Sequence, residues 1–178
     1  MKGGRAELNS RHNRRQRLIS AAVTLLIVAV LLGFVFGVWL LGVRVDDDGM
    51  APTVSRGDVI FFNRLSRFVR TPERGDIIAY STADGIKLGR IAALPGEAVQ
   101  SDGGKLYING ILLDERIYTE FVNPDMPELA LNKNEYFIMP DARESMLPQP
   151  NRMAIHIDDF VGRAWIRVTP ISKFGVFE

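Results

Sequence analysis

Residues 58–82 read DVIFFNRLSRFVRTPERGDIIAYST, and this stretch decides the fold class. Two short apolar runs, Val59–Phe62 and Ile77–Tyr80, each follow an Arg-Gly-Asp triplet at Arg56-Gly57-Asp58 and Arg74-Gly75-Asp76. Short β-branched and aromatic runs bounded by glycine turns are strand signals. Outward from there the pattern repeats: KLYINGILL (105–113) carries a hairpin turn at Asn109-Gly110, and EYFIM (135–139), RMAIHI (152–157) and RAWIRV (163–168) read as further strands. No segment of residues 44–178 holds an amphipathic helical period over about twelve residues. The expected architecture is mainly β, a folded or barrel-like sheet with irregular loops, with residues 121–134 a loop or small insertion.

The chain has 178 residues, a formal net charge of +1 and no cysteine. The missing cysteine excludes a disulfide framework, a cysteine nucleophile and a thiolate-held zinc or iron–sulfur centre. His12 and His156 are too far apart for a helical metal pair, and no cofactor or metal is expected. A hydrophobic share of 47% beside 24% charged residues argues against wholesale disorder.

The near-neutral total hides three blocks. Residues 1–17 carry Lys2, Arg5, Arg11, Arg14, Arg15 and Arg17 against Glu7 alone, a basic tail. Residues 18–43 form an uncharged run of 26, LISAAVTLLIVAVLLGFVFGVWLLGV. As a helix it would reach about 39 Å, enough to cross a bilayer core of about 30 Å. It exceeds the apolar stretch of a cleaved signal peptide, so it reads as an anchor. Basic flanks stay in the cytoplasm, which puts residues 44–178 outside a cell membrane crossed once. Next to an anchor the basic tail reads as an orientation signal, and no nucleic-acid partner is expected.

Five segments of the outer portion then acquire a common meaning. They are Gly49-Met50-Ala51-Pro52-Thr53, Gly75-Asp76-Ile77-Ile78, Gly89-Arg90-Ile91-Ala92-Ala93-Leu94-Pro95-Gly96-Glu97, LYINGILLDERIY (106–118) and Pro140-Asp141-Ala142-Arg143. In order and spacing, after an anchor, they resemble the type I signal peptidases, membrane-anchored serine proteases that use a Ser/Lys dyad. The resemblance implies that Gly49 stands where the family has its nucleophilic serine and Gly89 where it has its lysine base. It also makes Met50, Pro52, Thr53, Asp141 and Arg143 structural members of the motifs, with Asp141 and Arg143 read as an ion pair near the groove.

A hydroxyl nucleophile and an amine kept neutral by burial are what the family's chemistry needs, and glycine supplies neither. Asp47, two places before Gly49, would set a negative charge near a developing oxyanion. The family's closing Asp-Ser-Arg is absent from the stretch after Arg143. No catalytic residue is therefore expected. The alternative is an active signal peptidase with a relocated dyad, drawn from Lys87 with Ser55 or Ser145; His156 reads as an ordinary strand residue.

What the resemblance leaves intact is a groove for an extended peptide between Val45, Asp46, Asp47 and Asp48 on one side and Ile86, Lys87 and Leu88 on the other, made by backbone hydrogen bonds. The two glycines are expected to loosen it. The implied role is a non-catalytic peptide-binding or assembly factor for exported or surface proteins such as pilins. Its partners would be the lipid bilayer, an exported protein or pilin segment as client, and a sortase or the secretion machinery. FFNRLSRFVR (61–70) reads equally as a lipid-headgroup contact and as an inward-packing strand and loop.

Overall fold

The computed structural model describes residues 3–113, 125–142 and 153–177. The chain divides into two compact units, Met1–Trp39 and Leu40–Glu178. The first is a helix, α1 (Gly3–Trp39), within which Arg15–Phe34 is long and apolar enough to cross a membrane. Its side chains over that span are exposed all round. A helix apolar on every face suits a bilayer. It stops four residues short of the apolar run's end. Leu40–Val43 instead enter β1 (Leu40–Arg44), which pairs antiparallel with β2 (Val59–Asn63) from Leu40↔Asn63 to Arg44↔Val59. The expected span of 18–43 is thus corrected: cross-strand pairing claims its last turn.

The second unit is mainly β. After α2 (Ser66–Val69) come β3 (Ile77–Thr82), β4 (Gly85–Ala93), β5 (Ala98–Asp102), β6 (Lys105–Ile108), β7 (Ile111–Leu112), β8 (Met126–Ala130), β9 (Glu135–Met139), β10 (Ala154–His156), β11 (Phe160–Thr169) and β12 (Gly175–Val176). One sheet runs β1-β2-β11-β3-β4-β9-β10, with β12 on β11; a smaller one runs β7-β6-β5-β8. The expected hairpin is β6–β7, where Asn109 and Gly110 both take positive φ, +52° and +75°. That is the requirement of the tight turn whose twist matches its strands. Residues 126–130, expected as loop, form β8 because they pair with β5 from Ala98↔Ala130 to Ser101↔Met126.

The two Arg-Gly-Asp triplets are the same device used twice. Gly57 and Gly75 each sit at φ +92°, a backbone that suits glycine. The Asp58 carboxylate accepts the Ser55 N–H at 3.2 Å, and the Asp76 carboxylate accepts the Glu73 N–H at 3.0 Å. Both aspartates are buried, and both meet an arginine of β11: Asp76 with Arg163 at 2.8 Å, Asp58 with Arg167 at 3.5 Å. Each strand start is thereby tied to the long strand running between β2 and β3.

Among the described residues three apolar clusters fill the unit. Val45, Met50, Val54, Ile60, Phe62, Ile77, Ala79 and Ala164 form one. Ile78, Ile91, Tyr136, Ile138 and Phe160 form the second, on the other face of β3 and β4. The third, including Val99, Leu106, Met126 and Phe137, lies with the small sheet. Within residues 61–70, Phe62 is buried in β2, whereas Phe68 and Val69 of α2 are 72% and 80% exposed.

Candidate functional site

Gly49 opens a loop, Gly49–Asp58, that returns the chain from β1 to β2. Met50 and Val54 are buried beneath it, and the Val54 N–H reaches the Met50 carbonyl at 2.7 Å. The Ala142 N–H donates to the Gly49 carbonyl at 3.0 Å, so the loop lies against the segment that follows β9. Buried Asp141 takes a two-pronged hydrogen bond from Arg90, Nε to Oδ1 at 2.9 Å and Nη2 to Oδ2 at 2.6 Å. Arg90 also donates to the Gly75 carbonyl and, at 3.3 Å, to the Thr53 hydroxyl. Arg167 donates to the Thr53 carbonyl. Asp141 is thus held in a buried ion pair with Arg90; Arg143, its expected partner, and Ser145 lie outside the described residues.

Gly89 sits mid-strand in β4, in register with Ile78. A β-carbon placed on it would lie 2.3 Å from Ile138 Cγ2, 3.4 Å from the Met139 carbonyl oxygen and 3.5 Å from Tyr80 Cε1. The position is plugged. Expected looseness at Gly89 is corrected for that reason: the residue is buried in a continuous ladder, and its missing side chain is replaced by a neighbour's methyl group.

Asp47 turns back on its own loop. Its Oδ1 accepts the Gly49 N–H at 2.9 Å. Burial pushes the Tyr80 phenol above its ordinary range, and the Asp47 carboxylate adds to that push. Asp47 thus lies beside Gly49, and the Tyr80 ring lies beside Gly89. The Asp47 carboxylate occupies a backbone donor of the kind that stabilises an oxyanion at a nucleophile's own N–H.

Of the expected groove residues, Asp46, Asp47, Asp48, Ile86 and Lys87 are exposed, and Leu88 is half-buried. Asp48 Oδ1 accepts the Arg56 N–H at 3.0 Å. Val45 differs: it is buried, and both its N–H and its carbonyl are engaged, by Asp58 and Gly57. It belongs to the β1–β2 ladder. On the other wall β3 pairs with β4 along Gly85–Arg90, but β9 pairs only with Arg90–Ala93. Among the described residues the second edge of Gly85–Gly89 carries no strand.

Lys87 faces Tyr80 across the β3–β4 ladder and is exposed. Ser55 is a turn residue, its carbonyl accepting the Asp58 N–H at 3.1 Å. His156 Nδ1 accepts the Asp158 N–H at 3.3 Å, a local cap. Pro52 is exposed at the loop crest. Sequence reasoning missed Tyr80, Ile138 and Arg167. Arg90 was visible as Gly89's neighbour, whereas nothing in EYFIM marks Ile138 as a plug.

Comparison with known proteins bears on this locus. The family model described as signal peptidase, peptidase S26 matches residues 16–168. A probable signal peptidase I-1 of Synechocystis is 28% identical over 178 residues, with 89% of this chain and 87% of that protein covered. A Staphylococcus aureus protein named inactive signal peptidase IA is 22% identical, with 90% and 97% covered. A signal peptidase I structure from Enterococcus faecalis aligns at 23% identity and TM-score 0.42, covering 53% of this chain and 97% of that one. The chain spans 64% of another Synechocystis relative, a probable signal peptidase I-2, and 40% of an Arabidopsis thaliana thylakoidal processing peptidase. By the extent of the family match, this chain belongs to the signal peptidase family, peptidase S26.

Proposed function

We propose that this protein is a membrane-anchored, non-catalytic member of its family that holds extended segments of exported proteins. The observation that carries the reading is the plug at Gly89, where Ile138 Cγ2 lies 2.3 Å from any β-carbon. A lysine base has no room there, and Gly49 offers no hydroxyl. Asp47 on the Gly49 N–H supports the same conclusion, because a carboxylate already occupies that donor. Relatives named inactive signal peptidase IA occur in two Staphylococcus aureus strains, so a family member without activity has precedent.

The groove reading rests on the open edge of Gly85–Gly89, whose main-chain groups suit an added strand. Clients would be exported or surface proteins such as pilin subunits, met beside the secretion machinery or a sortase. The basic N-terminal tail favours a cytoplasmic N-terminus and an extracytoplasmic β unit.

The test uses the full chain in detergent or lipid with a fluorescent signal-peptide substrate and an extended-peptide binding series. Binding without cleavage is the expected result. Cleavage abolished by Ser55→Ala, Ser145→Ala or Lys87→Ala would overturn the reading in favour of a relocated dyad. In-cell crosslinking from Lys87 identifies the client, and a pilin among the trapped partners supports assembly.

A further inference from the structure

The loop Gly49–Asp58 is held on its Thr53 side by two arginines from different strands. Arg90 is fixed by its two-pronged bond to Asp141 and by the Gly75 carbonyl. Arg167 is held differently. One guanidinium nitrogen donates to the Thr53 carbonyl, yet its buried Nε has no hydrogen-bond partner among the described residues. The Asp58 carboxylate faces that Nε at 3.5 Å, within ion-pair range but too poorly placed for a hydrogen bond. A fork with five donors is therefore secured by one good bond and one loose charge contact.

What fixes its plane is the C-terminal end of the chain. The Phe177 ring lies 5.2 Å from the Arg167 guanidinium carbon, within cation–π range. Phe177 is itself positioned by its N–H on the Trp165 carbonyl at 2.9 Å and by β12, which pairs through Ile166↔Val176 and Arg167↔Gly175. The ring is half-buried against the cluster that also holds Met50 and Val54. Without its face, Arg167 is free to turn toward Asp58 and release Thr53.

We infer that Phe177 is a positioning residue that, acting through Arg167, sets the conformation of the Gly49–Asp58 loop. The link runs from the last strand to the loop that begins at Gly49 and carries Asp47's hydrogen bond. Its functional half, control of peptide binding by the last strand, rests on the groove reading given above; its structural half does not.

The test is hydrogen exchange of the full chain in micelles, following the Ala51 and Val54 amides with Ile60 and Phe62 in β2 as internal controls. Phe177→Ala and Arg167→Met should each speed exchange at Ala51 and Val54 about tenfold, within the range of a partly desolvated cation–π contact, while the β2 amides hold. Phe177→Tyr, which keeps an aromatic face, should restore wild-type exchange, and Phe177→Leu, which keeps apolar bulk, should not. Protection unchanged in Phe177→Ala, or fully restored by Phe177→Leu, overturns the inference. A peptide-binding arm on the same variants should show about a fivefold weaker affinity in Phe177→Ala. Failure of the wild-type chain to bind any peptide refutes the groove reading and leaves the exchange result to judge the loop.

Discussion

Gly89→Ala should be an expensive substitution, and the reason is local. The added carbon would meet Ile138 Cγ2 at 2.3 Å, where ordinary carbon contacts lie at about 3.5–4.0 Å, an overlap of about 1.2 Å or more. Ile138 is 3% exposed and packed with Ile78, Ile91, Tyr136 and Phe160. Its methyl sits directly on a branched β-carbon, so it clears the way only by turning χ1 or shifting its strand. Such overpacking costs about 3 kcal/mol, the upper end for small-to-large core changes. Replacing glycine within a strand returns about 0.5–1 kcal/mol of backbone entropy. The net expectation is a loss of about 2 kcal/mol in urea unfolding of the full chain in micelles.

A double-mutant cycle makes the reasoning refutable. Ile138→Ala alone should cost about 3–4 kcal/mol for the cavity it leaves. Combined with Gly89→Ala, the new methyl moves into that cavity, and the pair should cost about 2 kcal/mol less than the sum of the singles. If Gly89→Ala costs less than about 0.5 kcal/mol, or adds simply to Ile138→Ala, the plug is not what occupies this position. The same logic predicts that Gly49→Ser with Gly89→Lys recovers no signal-peptide cleavage.

Other outcomes follow from the geometry around the loop. Asp141→Asn should destabilise by about 3 kcal/mol in the same unfolding assay, since it strands the Arg90 guanidinium against a neutral partner. Glu73→Gln, which removes the exposed partner of Arg70, should leave the transition where it is. Tyr80, whose folded-state pKa is raised by burial and then by Asp47, should ionise above the ordinary phenol range in a Tyr80→Phe absorbance difference titration. Because the folded state holds that proton longer, its contribution to stability is complete below the unfolded pKa and is lost as pH rises through the folded one. Asp47→Asn should lower the Tyr80 titration only in part, leaving the rise that burial causes. Gly110→Ala, at φ +75°, should cost about 1 kcal/mol or more and expose the Leu106 and Leu113 amides of the small sheet to exchange.

Much of the strand layout could be read from local pattern, because glycine at positive φ and short β-branched runs are local signals. Asn109-Gly110 announced its hairpin, and the Arg-Gly-Asp triplets announced two strand starts. What they could not announce was their mates: Arg163 and Arg167 lie far along the chain, and only the β11 register brings them to Asp76 and Asp58. β8 was hidden for a similar reason, its proline and acidic residue reading as loop until pairing with β5 outweighs them. The end of α1 was misplaced because Leu40–Val43 are as apolar as the helix before them. At the candidate site, two positions with neither hydroxyl nor amine were legible as Gly49 and Gly89. That Ile138 fills one of the gaps was not, since a plug depends on which strand lies alongside.

Among the described residues no strand covers the second edge of Gly85–Gly89, and this has a consequence for how copies of this protein coexist. A bare strand border offers main-chain donors and acceptors to any neighbour, including another copy of itself. Were two such borders to join antiparallel along their full length, the middle residue of each would stand opposite its twin, and that residue is Lys87. Two ammonium groups set directly across a ladder repel one another. A single lysine at the midpoint thus discourages self-association while leaving the border available to a chain that places a different side chain at its centre.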